Sequence, residues 1–249
     1  MVEEKMMNPR VNNYISTRKN FLFTSCAMPD SPKPWGLLLV NPLPLEQNRC
    51  SFFYRNLQLN SMAKNIPSMR FDYTGSGDST GSIEDTNIDS WIRDTELCCD
   101  EFKKALNLES IYLLGIRIGG TIASIVASQH PSITSILIDP VYSGEEYVRN
   151  LDSLQRQLLS NPLEAPFEKH TQNEIMGFPF PPKLRESIIS LNLEPRFPES
   201  DHTFFSYQDF KLAHFIDEDF GWNNVEKLRL QFIPKSIHRT ILDIVGGEQ

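Results

Sequence analysis

The residues best placed to do chemistry lie in one stretch, Ile111–Gln129, which reads IYLLGIRIGGTIASIVASQ. Its short apolar run, Ile111-Tyr112-Leu113-Leu114, predicts a strand buried on both faces. A sharp turn follows through Gly115-Ile116-Arg117-Ile118-Gly119-Gly120, and the Ala-, Ile- and Val-rich run Thr121–Ser128 predicts a buried helix. Strand, glycine-framed turn and helix form the frame that, written Gly-x-Ser-x-Gly, lifts a reactive serine above a sheet. Here the outer glycines stand at 115 and 119, but the middle residue is Arg117. A guanidinium stays protonated and has no free lone pair, so it cannot attack a carbonyl. It can grip an anion.

A residue in that turn sits over the N-terminal end of the following helix, where unpaired N–H groups and the helix dipole favour negative charge. A cation there needs an anion close by. The chain offers two of its own, Asp139 and Asp72, both at expected strand ends. An internal Arg117–Asp139 or Arg117–Asp72 pair that plugs the turn is the structural reading. The functional one is a ligand carboxylate or phosphate held by Arg117 and the helix end together.

Other reactive side chains are scattered. Ser76, Ser79 and Thr121 are hydroxyls near the presumed site, each a long shot as a relocated nucleophile. Cys98 and Cys99, adjacent on an expected helix, read as core and boundary residues, and the four cysteines lack the spacing of a metal site or a disulfide framework. Gly75–Gly77 lies in a glycine-rich loop that lacks the Lys-[Ser/Thr] of a phosphate loop, so a structural turn is the simpler reading. His202, His214 and His238 are the late histidines. His202, beside Asp201 in a polar loop, is the better candidate for a catalytic base, whereas His238 falls in a helical pattern that suits a surface role. Asp217-Glu218-Asp219 reads as a solvated charge cluster.

The elements that must position these groups follow a repeating order. Gly36–Val40 predicts a buried strand stopped by Asn41-Pro42-Leu43-Pro44, and a helical pattern occupies Arg49–Asn65. Ser68–Phe71 is a short strand, Asp89–Leu106 an amphipathic helix, and Ile136–Ile138 a further strand ending at Asp139-Pro140. Strands alternating with helices over short connections mean a parallel sheet with right-handed crossovers. Before this, Met1–Thr17 reads as polar and loosely held, and Phe21–Thr24 as an edge strand. After Tyr147 come a polar helix at Arg149–Ser160, a proline-broken segment at Asn161–Pro182, a helix at Lys183–Leu191 and a strand at Phe204–Tyr207. A terminal helix at Pro234–Val245 sets Ile237, Ile241 and Val245 on one face.

The 249 residues suit one large α/β domain, and the hydrophobic fraction of 40% is enough for a sizeable core. A net charge of -8 without any basic run argues against nucleic acid and anionic membrane surfaces as partners. No window is apolar enough for a spanning helix, and a cytoplasmic location with reduced thiols is expected.

Three segments together make the chain resemble the α/β-hydrolase superfamily, in its serine-aminopeptidase-like and acyl-transfer branch. They are Phe71-Asp72-Tyr73-Thr74-Gly75-Ser76-Gly77-Asp78-Ser79, similar to the family's F-D-x-x-G-x-G-x-S loop, then Leu114–Gly120, then Leu137-Ile138-Asp139-Pro140-Val141. The resemblance spans roughly residues 36–147 and implies an α/β-hydrolase fold, a mostly parallel sheet flanked by helices. It implies a small proline-rich cap at 148–195. It also implies backbone oxyanion donors at Ile118 and Leu43, a pocket lined by Asn41, and an acid at Asp139 with His202 as its histidine. With Arg117 in the nucleophile's place, the resemblance points to a non-hydrolytic binding or accessory protein for an acyl or anionic small molecule, or for a partner enzyme. The alternative is an ester or thioester hydrolase or acyltransferase with a rearranged site. Neither needs a cofactor or a metal.

Overall fold

A computed structural model of the chain describes residues 10–160, 173–193, 213–216 and 235–247. The strands are β1 (Arg10–Ser16), β2 (Phe21–Ala27), β3 (Trp35–Val40), β4 (Ser68–Phe71), β5 (Ser110–Ile116), β6 (Ile133–Ile138), a short hairpin β7 (Glu174–Ile175) and β8 (Phe178–Pro179), and β9 (Ala213–Ile216). The helices are α1 (Pro44–Ala63), α2 (Ile88–Leu106), α3 (Ile118–Gln129), α4 (Gly144–Leu159), α5 (Pro182–Ile189) and α6 (Lys235–Gly246). Seven strands form one sheet in the order β1-β2-β4-β3-β5-β6-β9. The pairs β4·β3, β3·β5, β5·β6 and β6·β9 are parallel, and β1·β2 and β2·β4 are antiparallel.

Strand β3 shows why the sheet is covered on both faces. Leu38 and Val40 point into one core with residues of α2, α3, α4 and α5, while Leu37 and Leu39 point into another with Phe53, Leu57, Ile237 and Ile241 of α1 and α6. Period-two alternation in a wholly apolar strand sends successive side chains to opposite faces, so both faces need a helical layer. The terminal helix keeps its expected stripe: Ile237, Ile241 and Val245 are all buried. It is also tied to β3, since the Trp35 indole donates to the carbonyl of Val245 at 2.8 Å.

Helix α2 begins in a capping box. The Asn87 side chain accepts from the backbone N–H of Ser90 at 2.9 Å, and the Ser90 hydroxyl accepts from the N–H of Asn87 at 3.0 Å. Two of the helix's orphan donors are thereby satisfied. Asn87→Ala is expected to lower stability by about 1 kcal/mol in urea unfolding. Cys98 and Cys99 are both buried, together with Trp91 and Phe102.

The N-terminal stretch departs from the sequence expectation. Arg10–Ser16 is a seven-residue strand paired antiparallel with β2, so β2 lies second from the edge. Thr17 anchors the connection, its hydroxyl accepting from the N–H of Asn20 at 2.8 Å. The ring of Tyr14 meets that of Phe23 edge-on at 5.7 Å, and Ile15 packs on the core. Hairpin closure and these apolar contacts order a segment whose polar composition alone suggested otherwise. The strand expected at Phe204–Tyr207 lies outside the described residues; the last sheet strand among them is β9.

Within the expected cap region 148–195, the described parts are the remainder of α4, the β7–β8 hairpin and α5. Ile175, Phe180, Leu184 and Ile188 are buried in the same core as α2 and α3. The hydroxyl of Ser187 accepts from the N–H of Ile88, seating α5 at the start of α2. No described helix is long and apolar enough to cross a membrane.

Candidate functional site

The site is built at the junction of β5 and α3. Arg117 is the single residue between them and adopts φ 54°, ψ -124°, a left-handed conformation that costs a non-glycine residue of order 1–3 kcal/mol. Its backbone is pinned on both sides: its N–H donates to the carbonyl of Ile138 at 3.0 Å, and its carbonyl accepts from Gly120 and Thr121. The flanking glycines are needed for close approach. A Cβ on Gly115 would stand 2.2 Å from the carbonyl oxygen of Gly119, and one on Gly119 would stand 2.5 Å from the carbonyl oxygens of Val40 and Asn41. The turn is therefore wedged against the end of β3, beside the loop that carries Asn41 and Leu43.

Three other elements converge on the Arg117 side chain. Its Nη1 donates to Oδ2 of Asp139, after β6, at 2.9 Å, and its Nε donates to Oε1 of Glu46, in the first turn of α1, at 3.3 Å. Tyr147 of α4 places its ring under the guanidinium, 5.2 Å from the ring centre, and donates its hydroxyl to Oε2 of Glu46 at 2.8 Å. The side chains of Arg117 and Glu46 are only 11% and 2% exposed, whereas Asp139 keeps 36%. A cation at a helix N-terminus is opposed by about 0.3–1 kcal/mol. Two hydrogen bonds between charged groups, worth roughly 1.5–3 kcal/mol each, outweigh that opposition.

The expected Arg117–Asp139 pair is thus present. Asp72, the other candidate partner, turns away. Its Oδ1 accepts from Gln47 at 3.2 Å and Asn41 at 3.4 Å, and its Oδ2 from the N–H of Asp78 at 3.0 Å. Glu46 lies before the helical pattern of the sequence, which begins at Arg49, whereas α1 itself begins at Pro44. Pro44 was the available signal, since proline is favoured in the first turn of a helix and places Glu46 in that turn. Tyr147 had no sequence signal beyond its place after β6.

Burial pushes the carboxyl of Glu46 above the ordinary range, and Arg117 and the Tyr147 hydroxyl pull it back only in part. The folded state then holds this proton more tightly than the unfolded chain, so the contribution of Glu46 to stability declines as pH rises through its folded pKa. From pH 5 to pH 7, Glu46→Gln is expected to lose less stability than the unmodified chain. Urea unfolding at the two pH values gives both differences.

The remaining sequence candidates are engaged elsewhere. The Thr121 hydroxyl donates to the carbonyl of Val141 and accepts from its N–H, Ser76 donates to the carbonyl of Tyr73, and Ser79 bridges Asp72 and Phe23. All four cysteines are free, and burial raises their pKa values, that of Cys26 to about 11, which keeps them as unreactive thiols. His238 stacks on Phe53 with ring centres 4.5 Å apart and places Nε2 3.1 Å from the Phe53 carbonyl, in the α1–α6 layer. His202 lies outside the described residues, and of His214 only the backbone, in β9, is described. Among the described residues, no group of three His, Cys, Asp or Glu is placed to hold a metal ion.

No family model matches the sequence, and no curated protein matches it. Solved structures do. A putative hydrolase from Agrobacterium vitis S4 superposes with a TM-score of 0.51 at 19% identity, covering 72% of this chain and 71% of that one. Est1E from Butyrivibrio proteoclasticus, solved with ferulic acid bound, gives 0.48 at 18%, covering 71% and 68%. An α/β serine hydrolase without lid from Xanthomonas campestris gives 0.46 at 17%, covering 55% and 63%. This chain spans about half the length of a proline iminopeptidase from Mycobacterium smegmatis and of a proline iminopeptidase-related protein from Thermus thermophilus that it also matches. At such identities the likeness speaks for fold alone, and the first match, joined to the parallel sheet between helical layers, carries it: the chain has the α/β-hydrolase fold.

Proposed function

We propose that this protein is a non-hydrolytic member of the α/β-hydrolase fold, in which Arg117 occupies the place of the nucleophile and the chain acts as a binding or accessory protein. The observation that carries this reading is the closed cluster of Arg117, Glu46, Asp139 and Tyr147. The guanidinium is spent on two carboxylates and an aromatic face. It neither attacks a carbonyl nor stands open to a ligand anion unless Asp139, the more exposed partner, gives way. Backbone donors at Ile118 and Leu43 then have no tetrahedral oxygen to stabilise. The hydroxyls and thiols nearest the turn are committed to structure, which weighs against a relocated nucleophile.

On this reading Tyr147 serves as a clasp, its hydroxyl tying α4 to Glu46 of α1 beside the turn. The role that suits a plugged turn is that of an accessory protein to a partner enzyme, or a carrier of a small acyl or anionic molecule held beside the turn. Steady-state assays with nitrophenyl esters and acyl thioesters test it. No turnover above the uncatalysed rate is expected. Sustained turnover that is lost in Asp139→Asn would establish the rearranged hydrolase or acyltransferase instead.

A further inference from the structure

Glu46 and Gln47 are neighbours on α1, but they serve different places. Gln47 lines a separate polar recess of about 190 Å³, together with Asn41, Ser51, Arg70, Asp72 and Asp78. None of Arg117, Glu46, Asp139 or Tyr147 lines it. Its walls carry one positive charge, Arg70, and two negative ones, Asp72 and Asp78.

Two features make the recess more than a gap between β4 and α1. The first is the state of its charges. The Arg70 guanidinium influences Asp72 electrostatically, yet it makes no hydrogen bond and no ion pair within 4.0 Å with any described residue. A guanidinium and a carboxylate facing one recess ordinarily close on each other in a two-pronged pair. Here they stand apart. The second is that the negative end is fixed. Asp72 is held by the side-chain amides of Gln47 and Asn41 and by the N–H of Asp78, so it cannot swing toward Arg70 without breaking those bonds. Asn41 is itself 4% exposed and is anchored by donating to the carbonyl of Phe71 at 2.6 Å. The recess therefore presents a free cation and a preorganised anion across a gap, and preorganisation is what lowers the cost of binding.

We propose that this recess binds a small zwitterion of the α-amino-acid class, its carboxylate on Arg70 and its ammonium against Asp72 and Asp78. Such a molecule bridges the gap that the two side chains leave between them, and it matches the mixed charge of the walls better than a simple anion or cation does. Size restricts it further. A cavity of about 150 Å³ accepts benzene, so this one accepts glycine, L-serine or L-threonine and excludes L-tryptophan. The proposal does not depend on the state of Arg117 and holds whether or not the turn is catalytic.

Isothermal titration of the full chain with glycine, L-serine and L-tryptophan tests it, with acetate and methylammonium as single-charge controls. L-serine or glycine is expected to bind at millimolar concentration, at least ten-fold more tightly than acetate or methylammonium, and L-tryptophan is expected not to bind. Arg70→Gln should weaken L-serine at least ten-fold, because it removes the carboxylate's partner while leaving the fold intact. The side-chain amide resonances of Asn41 and Gln47 should shift on adding L-serine to the unmodified protein. Three results would each overturn the assignment: no amino acid binds, acetate binds as tightly as L-serine, or Arg70→Gln leaves the affinity unchanged.

Discussion

Replacing Arg117 by methionine is expected to lower stability by about 3–5 kcal/mol at pH 7, the scale on which removing one partner of a buried ion pair acts. Methionine keeps the unbranched stem and suffers the same left-handed backbone, so the change isolates the charge. The loss comes mainly from Glu46, which is 2% exposed and would keep the Tyr147 hydroxyl bond and the field of the nearby Arg49 but lose its ion pair, and less from Asp139, which reaches water. Because burial already raises the pKa of Glu46, the carboxyl can escape the penalty by taking up a proton. The cost of Arg117→Met should therefore shrink between pH 7 and pH 5. The double variant Arg117→Met/Glu46→Gln should lose at least about 1 kcal/mol less than the sum of the two singles, as contacting charged residues do. Urea unfolding of the four proteins completes the cycle. Additive losses at pH 7 would mean that the two side chains are not coupled.

Gly115→Ala is expected to be as damaging, about 3 kcal/mol or more, for a wholly different reason. The added methyl would lie 2.2 Å from the carbonyl oxygen of Gly119 and 2.6 Å from the backbone nitrogen of Gly120. Those are backbone atoms of the first turn of α3, and no rotamer change moves them. The turn must open or α3 must retreat from β5, and α3 cannot retreat because Ile118, Ile122, Ala123 and Val126 are buried in the core. A drop in urea midpoint, or loss of soluble protein, is the expected reading. Ser128→Ala, at the far end of the same helix, serves as the control that should move stability little. An unchanged midpoint in Gly115→Ala would contradict the described turn.

The elements that position the site were legible where pattern and punctuation agreed. Gly36–Val40 and Ile111–Leu114 are unbroken apolar runs bounded by turn residues, and both are central strands. Gly115 and Gly119 announce a close approach, and the structure shows what they approach. The pair between Arg117 and Asp139 could be foreseen because a cation at a helix start demands an anion and strand ends on one sheet edge are neighbours. Glu46 could not be found the same way. It lies 71 positions from Arg117, and nothing local in Leu43-Pro44-Leu45-Glu46 says which face of the helix meets the turn. Strand β1 was hidden for a related reason: Arg-Val-Asn-Asn-Tyr-Ile-Ser has only weak alternation, and its order comes from pairing with β2. Non-local contacts of this kind are decided by packing, which a pattern along the chain does not encode.

On the proposed function, the turn between β5 and α3 holds no nucleophile and none has been relocated beside it. Intact-protein mass after incubation with a fluorophosphonate tests this most directly, with an active serine hydrolase labelled in parallel. An unchanged mass is expected. A stoichiometric adduct, mapped by digestion to a hydroxyl or thiol of this chain, would contradict it.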